Sequence, residues 1–421
     1  MAHITEATSV YTGSGTAFTG TGPDTLIVDA DAFLISESGG NGATLTGSWD
    51  VVINGQVAAF EGNGIKVNSA VSDVVNITVG SSGDVFGSDF DFGLNLGSGK
   101  NTILNKGTIT GLLSAGPMKV TNIGIFHGFV GCSGVTDDTF TNFQKVGKVI
   151  KNGTIHGLID LGAGGDHFFG GAKAELVRDG AGADIYNFGG GNDVFLAVNV
   201  SGGTDGIDSV NGGSGIDTYN ASEAPFSVFV NLDTRARSAG QYPFFPLAAK
   251  TAQGNGINID SVVGFENVTG GAHDDALFGS SGANTLIGGA GADGLFGFGG
   301  RDTHTGGSGA DTFHFTTLSD SGTKVSTRDV ITDFEWGVDK LDLSEIDANS
   351  KTKNVIDQFN LTGHNGFNSF TGDAGQLRFR YTEGGNTIIY GDVNGDAVAD
   401  FSIKLLGHIL LHETDILGID N

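Results

Sequence analysis

From Gly270 to His314 the chain repeats every nine residues: GGAHDDALF, GSSGANTLI, GGAGADGLF, GFGGRDTHT and GGSGADTFH. The sixth position holds Asp275, Asn284, Asp293, Asp302 and Asp311, and the eighth Leu277, Leu286, Leu295, His304 and Phe313. A glycine-rich linker has composition but no register, so a period held through five consecutive units excludes one. What remains is a parallel β-roll in which each unit is a tight turn followed by a short strand. Glycine supplies turn conformations that side chains forbid.

The chemistry of the turns points to calcium. A carboxylate at the sixth position meets backbone carbonyls there, and a site built from hard oxygens suits Ca2+ rather than a transition metal. Two nonamers make one coil, so residues eighteen apart stack: Asp275 with Asp293, Asn284 with Asp302, Asp293 with Asp311. Asn284 is the weak ligand of this set. The eighth side chains point inward as a thin apolar ladder, in which His304 is the odd member, read as packed or edge-exposed rather than catalytic. Without metal the stacked carboxylates repel and the strands bury little, so folding is expected to be coupled to calcium binding.

A first block has the same beat over 161–220, with a six-residue interruption after Leu196. Its sixth positions are Asp166, Glu175, Asp184, Asp193, Asp208 and Asp217, and its inward ladder is Phe168, Val177, Tyr186, Phe195, Val210 and Tyr219. The expected pairs are Asp166 with Asp184, Asp184 with Asp208, Glu175 with Asp193, and Asp193 with Asp217. Lys173 stands where glycine is usual, so the Glu175 turn reads as a poor or empty site. Residues 221–265 interrupt the roll, with a strand at 226–234 and a loop at 236–256 expected to cover its open face.

Upstream, residues 1–160 alternate apolar and polar in short runs such as WDVVINGQVAAF (49–60) and DVVNITVG (73–80). A looser repeat joins ILNKGTITG (103–111), VTNIGIFHG (120–128) and VIKNGTIHG (149–157). Period-two alternation with irregular glycine turns predicts a parallel β-helix, with a β-sandwich as the competing fold. Asn105, Asn122 and Asn152 read as turn or ladder residues. Residues 128–148 break the repeat and read as its largest insertion; Cys132 inside it reads as buried or in a loop, since its surroundings lack the spacing of a nucleophile elbow. Past 315, DVITDFEWGVDKLDLSEID (329–347) crowds Asp329, Asp333, Asp339 and Asp342 together, as a capping calcium would need. The turn Asp392–Asp396 begins like an EF-hand loop, but Ile403 stands where the bidentate Glu belongs, so a hairpin turn is expected. The fold class is all-β: a right-handed parallel β-helix (1–160) continuing into calcium β-rolls (161–220 and 266–315, split by 221–265), then a C-terminal β cap (316–421).

Net charge is −27 with only 21 basic residues, which excludes nucleic acid as a natural partner. The single cysteine excludes an internal disulfide. No stretch has transmembrane length and apolarity, and the first residues lack the basic and apolar regions of a secretory signal. Rolls of this kind need calcium at extracellular levels, so export by a signal elsewhere in the chain is expected.

The nonamers, the DVITDF…GVDKLDLSEI segment and the GQLRFRY…GNTIIYGDVNGDAVADFSIKL ending together resemble the C-terminal domain of serralysin-type secreted metalloproteases, within the wider RTX (repeats-in-toxin) class. The resemblance is close over 200–421, while 161–196 shares the nonamer alone. It implies calcium binding after export, and an uncleaved signal for a type I secretion machinery near 405–421. It also places Asp275, Asp293, Asp302, Asp311, Asp329 and Asp333 at metal-binding or capping positions. A serralysin carries a zinc protease with an HExxH helix, and this sequence contains no such motif. Two functions are therefore expected to compete. One is a non-enzymatic surface or matrix adhesion protein with a glycan or surface-protein ligand. The other is an extracellular polysaccharide lyase, epimerase or hydrolase, with Asp89, Asp91, His127, Asp137, Asp138 and His156 as its candidates. A pore-forming toxin is disfavoured by the lack of a long apolar helix.

Overall fold

The computed structural model describes residues 1–88, 91–197, 206–237, 247–254, 258–352, 355–362 and 368–419. Among them the only helices are two short 3-10 turns, Glu6–Thr8 and Glu413–Asp415. The chain forms two compact units, Met1–Asp217 and Thr218–Asn421.

In the first unit, alternation sets the strands and stacking sets the core. Leu26, Val51, Ile77, Ile103, Val120, Phe140, Phe168, Tyr186 and Val210 stand in parallel register as one inward column. All are essentially inaccessible to solvent. A second column runs Leu34, Val57, Val85, Ile109, Phe126, Ile155. A third runs Leu94, Leu112, Val130, Ile159, Val177, Phe195. The second and third rows draw together along the chain: Thr108–Ser114 and Ile125–Cys132 each carry a member of both. The coil shortens accordingly. Steps along the first column are 25, 26 and 26 residues up to Ile103, and 18 residues between Phe168 and Tyr186. The first column thus passes from β-helix to roll in unbroken register, while the pairing of Thr108–Ser114 with Ile125–Cys132 shifts by one residue between Thr110 and Leu112.

The β-helix carries a polar column as well. Asn105 Nδ2 donates to Asn122 Oδ1 (2.9 Å), and Asn122 Nδ2 to Asn142 Oδ1 (2.7 Å). All three are fully buried. Here the structure departs from the sequence reading. Asn142, not Asn152, is the third member. Strands Phe143–Val146 and Val149–Asn152 form an antiparallel hairpin that leaves and rejoins the coil at one point, where Gly153 N–H bonds to Asn142 O (2.8 Å). The excursion is therefore 143–152 rather than 128–148, since residues 125–132 are an ordinary coil strand. The spacing hinted at this: Asn105 and Asn122 stand two residues before a glycine, and Asn152 only one.

In the second unit, Val230, Leu277, Leu295, Phe313, Leu341 and Ile416 form one inward column. Tyr219, Val268, Leu286, His304 and Ile331 form the other. The expected strand at 226–234 is Val228–Asn231, and it is a coil strand paired in parallel with Ala276–Phe278. Beyond it, Leu247 closes over Ala276, Phe278 and Phe296, and the Arg237 guanidinium lies 3.7 Å above the Phe298 ring. Those parts of the loop cover an outward apolar patch; 238–246 and 255–257 lie outside the described residues. The cap is an antiparallel meander, Gln376–Tyr381, Thr387–Asp392 and Phe401–Leu405, joined in parallel to Val330–Ile331. The Asp392 carboxylate accepts the N–H groups of Gly395 (2.7 Å) and Ala397 (2.9 Å), which makes its loop a self-satisfied hairpin turn.

Candidate metal centres

One hydrogen-bond rule builds the acidic turns, that of Glu175 excepted. The sixth-position carboxylate of one coil uses Oδ1 to accept the backbone N–H of the corresponding residue one coil earlier. On one edge of the first unit Asp166 bonds to Asp138 N–H (2.7 Å), Asp184 to Asp166 (2.6 Å) and Asp208 to Asp184 (2.8 Å). On the other, Asp193 bonds to Glu175 N–H (2.7 Å) and Asp217 to Asp193 (2.8 Å). In the second unit Asp293 bonds to Asp275 N–H (2.8 Å), Asp311 to Asp293 (2.9 Å) and Asp339 to Asp311 (3.0 Å). The last column runs from Asn284 to Asp302 (2.8 Å) and from Asp302 to Asp329 (2.8 Å).

The rule leaves the second oxygen over. Oδ2 of Asp138, Asp166, Asp193, Asp293, Asp302, Asp311 and Asp329, and Oε2 of Glu175, are buried with no protein hydrogen-bond partner. Such oxygens are costly unless a proton or a cation meets them. Burial, with neighbouring carboxylates adding to it, raises Asp302 to about 9, Asp166 and Glu175 to about 8, and Asp293 to about 7. Burial also carries Asp138, Asp193, Asp275 and Asp311 to about 6. The glycines complete the cradle: a Cβ on Gly309 would stand 2.7 Å from the Gly291 carbonyl carbon and closer still to its oxygen. Inward carboxylate oxygens beside stacked glycine carbonyls form an all-oxygen donor set of the kind Ca2+ takes.

The predicted residues are not equivalent. Asp275 has both oxygens engaged, by Val228 N–H (2.7 Å) and Gly271 N–H (2.6 Å). Asn284 spends its amide on Ser280 N–H (2.7 Å) and Glu266 O (2.7 Å), which leaves little for a metal. Asp184 Oδ2 accepts the Tyr186 hydroxyl at 3.1 Å. Glu175 turns its Oε1 to Asn142 Nδ2 (2.7 Å), so it joins the carboxylates to the asparagine column. Asp333 lies off the columns, holding the Gly306 (3.0 Å) and Gly307 (2.8 Å) N–H groups. Asp138 and Asp339 occupy column positions that the nonamer count does not reach: the sequence offers Asp339 only within a capping cluster and Asp138 only as an acid–base candidate. Each is 28 residues from its neighbour, Asp166 or Asp311, so an inserted hairpin or loop hides the period of eighteen.

The other candidates do not assemble into acid–base machinery. Asp138 is a column member, with Oδ1 taken by Met118 N–H (2.5 Å). Asp137 holds Gly165 N–H (2.9 Å), and Asp91 accepts the Ser88 hydroxyl (2.9 Å). His127 and His156 are register neighbours on the exposed face, stacked at 5.1 Å, and neither ring bonds to a carboxylate among the described residues. Asp89 lies outside the described residues. Burial raises the Cys132 thiol far above its ordinary value, which suppresses the thiolate. Among the described residues no helix is long and apolar enough to cross a membrane.

Comparison with known proteins agrees with the turns. Residues 249–417 match the family model for the peptidase M10 serralysin C terminal, and residues 160–195 match that of the RTX calcium-binding nonapeptide repeat. The metalloprotease AprA of Pseudomonas entomophila (strain L48) is 48% identical over 162 residues, 38% of this chain and 31% of its own. The metallopeptidase AprA of Pseudomonas marginalis is 47% identical over 152 residues, 36% of this chain and 29% of its own. The match thus spans less than a third of the length of either relative. The solution structure of the AlgE6R3 subunit from the Azotobacter vinelandii mannuronan C5-epimerase is 28% identical, covering 34% of this chain and 78% of that one, with a TM-score of 0.21.

Proposed function

We propose that this chain, an RTX protein with calcium-binding nonapeptide repeats and a serralysin-type C-terminal domain, is a non-enzymatic contact protein. Extracellular calcium folds its rolls so that the β-helix can be presented to an anionic surface or matrix polymer. In this reading calcium is held by Asp166, Asp184, Asp193, Asp208, Asp217, Asp293 and Asp311, with Asp138 and Asp339 added, whereas Asp302 and Asp329 face the His304 imidazole and make a separate centre. Asn284, Asp275 and Asp333 serve mainly as turn-capping groups. Residues 1–160 carry the contact function and 161–421 deliver and stabilise it, with a type I export signal in the last stretch.

The observation that carries the contact role is the 143–152 hairpin. Every residue of Val149–Asn152 is exposed, and Val146, Val149 and Ile150 are 54%, 58% and 58% accessible. Lys145, Lys148 and Lys151 flank them, three of only 21 basic residues in a chain of net charge −27. An isolated two-stranded hairpin is marginal in water. Its exposed apolar tip and concentrated positive charge suit it to an acidic partner. The test is binding of the calcium-loaded full chain to a polyuronate, compared with the Lys145→Glu/Lys148→Glu/Lys151→Glu variant. Saturable, salt-sensitive binding that weakens at least tenfold in the variant is expected. Equal binding by both proteins, or turnover of the polymer, would overturn the reading.

A further inference from the structure

Among the columns of the second unit one member is out of character. His304 stands between Leu286 and Ile331 in an otherwise hydrophobic inward row, 1% exposed, and neither ring nitrogen has a hydrogen-bond partner. The ring lies against Phe313 and Phe315, with centroids 6.2 and 6.1 Å away. Leucine at that position would bury as well and leave nothing unsatisfied, so an imidazole with two orphaned nitrogens there is costly unless a partner meets them.

The ring does not face hydrocarbon alone. Its Nε2 is 3.9 Å from Asp329 Oδ2, too far for a hydrogen bond. Asp302 and Asp329 are themselves fully buried, each with Oδ1 committed to a backbone N–H and Oδ2 free of any partner. One donor atom from each of the three side chains lies within 4.8 Å of the others. We infer that Asp302, His304 and Asp329 form an internal binding site for a d-block divalent cation of the zinc class, distinct in kind from the all-oxygen calcium turns around it.

Three arguments support that identity. Donors about 2.0–2.2 Å from a shared tetrahedral ion stand roughly 3.3–3.6 Å apart, and the three donor atoms here lie within 4.8 Å of one another, so binding draws them together by on the order of 1 Å. A neutral imidazole with two carboxylates balances a divalent charge, which a buried site requires. The nitrogen donor sets the preference: calcium takes oxygen ligands, whereas imidazole suits zinc, iron and their neighbours. The ion would satisfy three orphaned atoms at once and pin the last nonamer coils to the strand Val330–Ile331, whose first neighbour is Asp329.

The test uses the full chain with calcium held at saturation, so that loss of this site is distinguishable from failure of the calcium turns. Cobalt(II) serves as the spectroscopic probe and zinc as its competitor. Wild type is expected to bind one equivalent of Co2+ with visible d–d bands, displaced by Zn2+. His304→Leu is expected to bind it at least tenfold more weakly, with calcium-dependent circular dichroism unchanged. A His127→Ala/His156→Ala variant controls for the exposed histidine pair and should keep the tight equivalent. Imidazole proton resonances of wild type provide an independent reading, since one buried ring should be shifted by Co2+ whether or not His304→Leu folds. The inference is overturned if calcium-loaded wild type binds no Co2+, if no buried ring responds, or if the tight equivalent is lost with His127 and His156 instead.

Discussion

Replacing Gly309 by alanine separates stacking geometry from glycine content. Gly309 occupies the fourth place of its nonamer at φ +135°, a conformation that other residues avoid. Its Cβ would stand 2.7 Å from the Gly291 carbonyl carbon in the coil beneath and closer to the oxygen. Strands in register are about 4.8 Å apart, and that spacing cannot open locally without losing bonds. The bonds at risk are Gly291 N–H to Ser308 O (2.9 Å) and Asp293 N–H to Asp311 Oδ1 (2.9 Å). Backbone strain costs about 1–3 kcal/mol and two lost bonds about 1 kcal/mol each, so the total is roughly 3–5 kcal/mol. In a unit of this size that is roughly 6–20 °C of thermal midpoint. Gly282 is the control. It holds the same place in its own nonamer, but a Cβ there meets only Ser280 Oγ at 3.6 Å, so Gly282→Ala should cost under about 0.5 kcal/mol. Thermal unfolding followed by circular dichroism in saturating calcium decides the matter. If Gly309→Ala melts within about 2 °C of wild type, or Gly282→Ala is equally damaging, the stacking argument fails.

The asparagine column and the acid-base balance make further predictions. Asn122→Leu should destabilise the first unit by about 2–4 kcal/mol in denaturant titration, because it leaves Asn142 Oδ1 without its donor in the core and removes one of the two bonds of Asn105 Nδ2, which keeps Ile125 O; a loss too small to measure would show that the column is ornamental. The calcium-free protein should become less stable as pH rises. Asp302, Asp166, Glu175 and Asp293 titrate in the folded state at about 9, 8, 8 and 7, above ordinary carboxylates, so the folded chain binds more protons than the unfolded one. That stability is present in full below the ordinary carboxylate range and is lost as pH climbs through those values. Melting curves in chelator from pH 5 to 9 test this, and a midpoint that climbs with pH would contradict it. In saturating calcium the slope should reverse, since protons then compete with the ion.

The sequence was most legible where a period met a chemical constraint. Asp184, Asp193, Asp293 and Asp311 could be placed because eighteen-residue spacing and an invariant turn leave no freedom in the stacking. Legibility failed where an excursion broke the count. Asp138 and Asp339 sit in the same columns, but the hairpin 143–152 and the loop after Phe315 add ten residues to the interval. Asn152 looked like the third ladder residue because local sequence cannot tell a coil corner from the end of a hairpin, and only the pairing of Phe143 with Asn152 shows which it is. The strand Val228–Asn231 was visible as alternation, whereas its membership of the coil depended on a partner 47 residues away, Asp275, receiving the Val228 N–H. His304 was visible as an exception in the row, but its meaning depended on Asp329, 25 residues on, which no periodicity brings beside it.

The passage from Asn142 to Glu175 has a kinetic consequence. Upstream of it, neutral amides link successive coils and need no ion; downstream, the same line of bonds is made by carboxylates that repel until one arrives. A one-dimensional stack has to overcome the entropy of its first ordered turn before later turns can add cheaply. Here that first turn is prepaid by the amide coils, so calcium has only to extend an existing front. Ordering should then travel in one direction through the first unit, from the amide end toward Asp217, with no lag and with little dependence on which calcium turn is strongest.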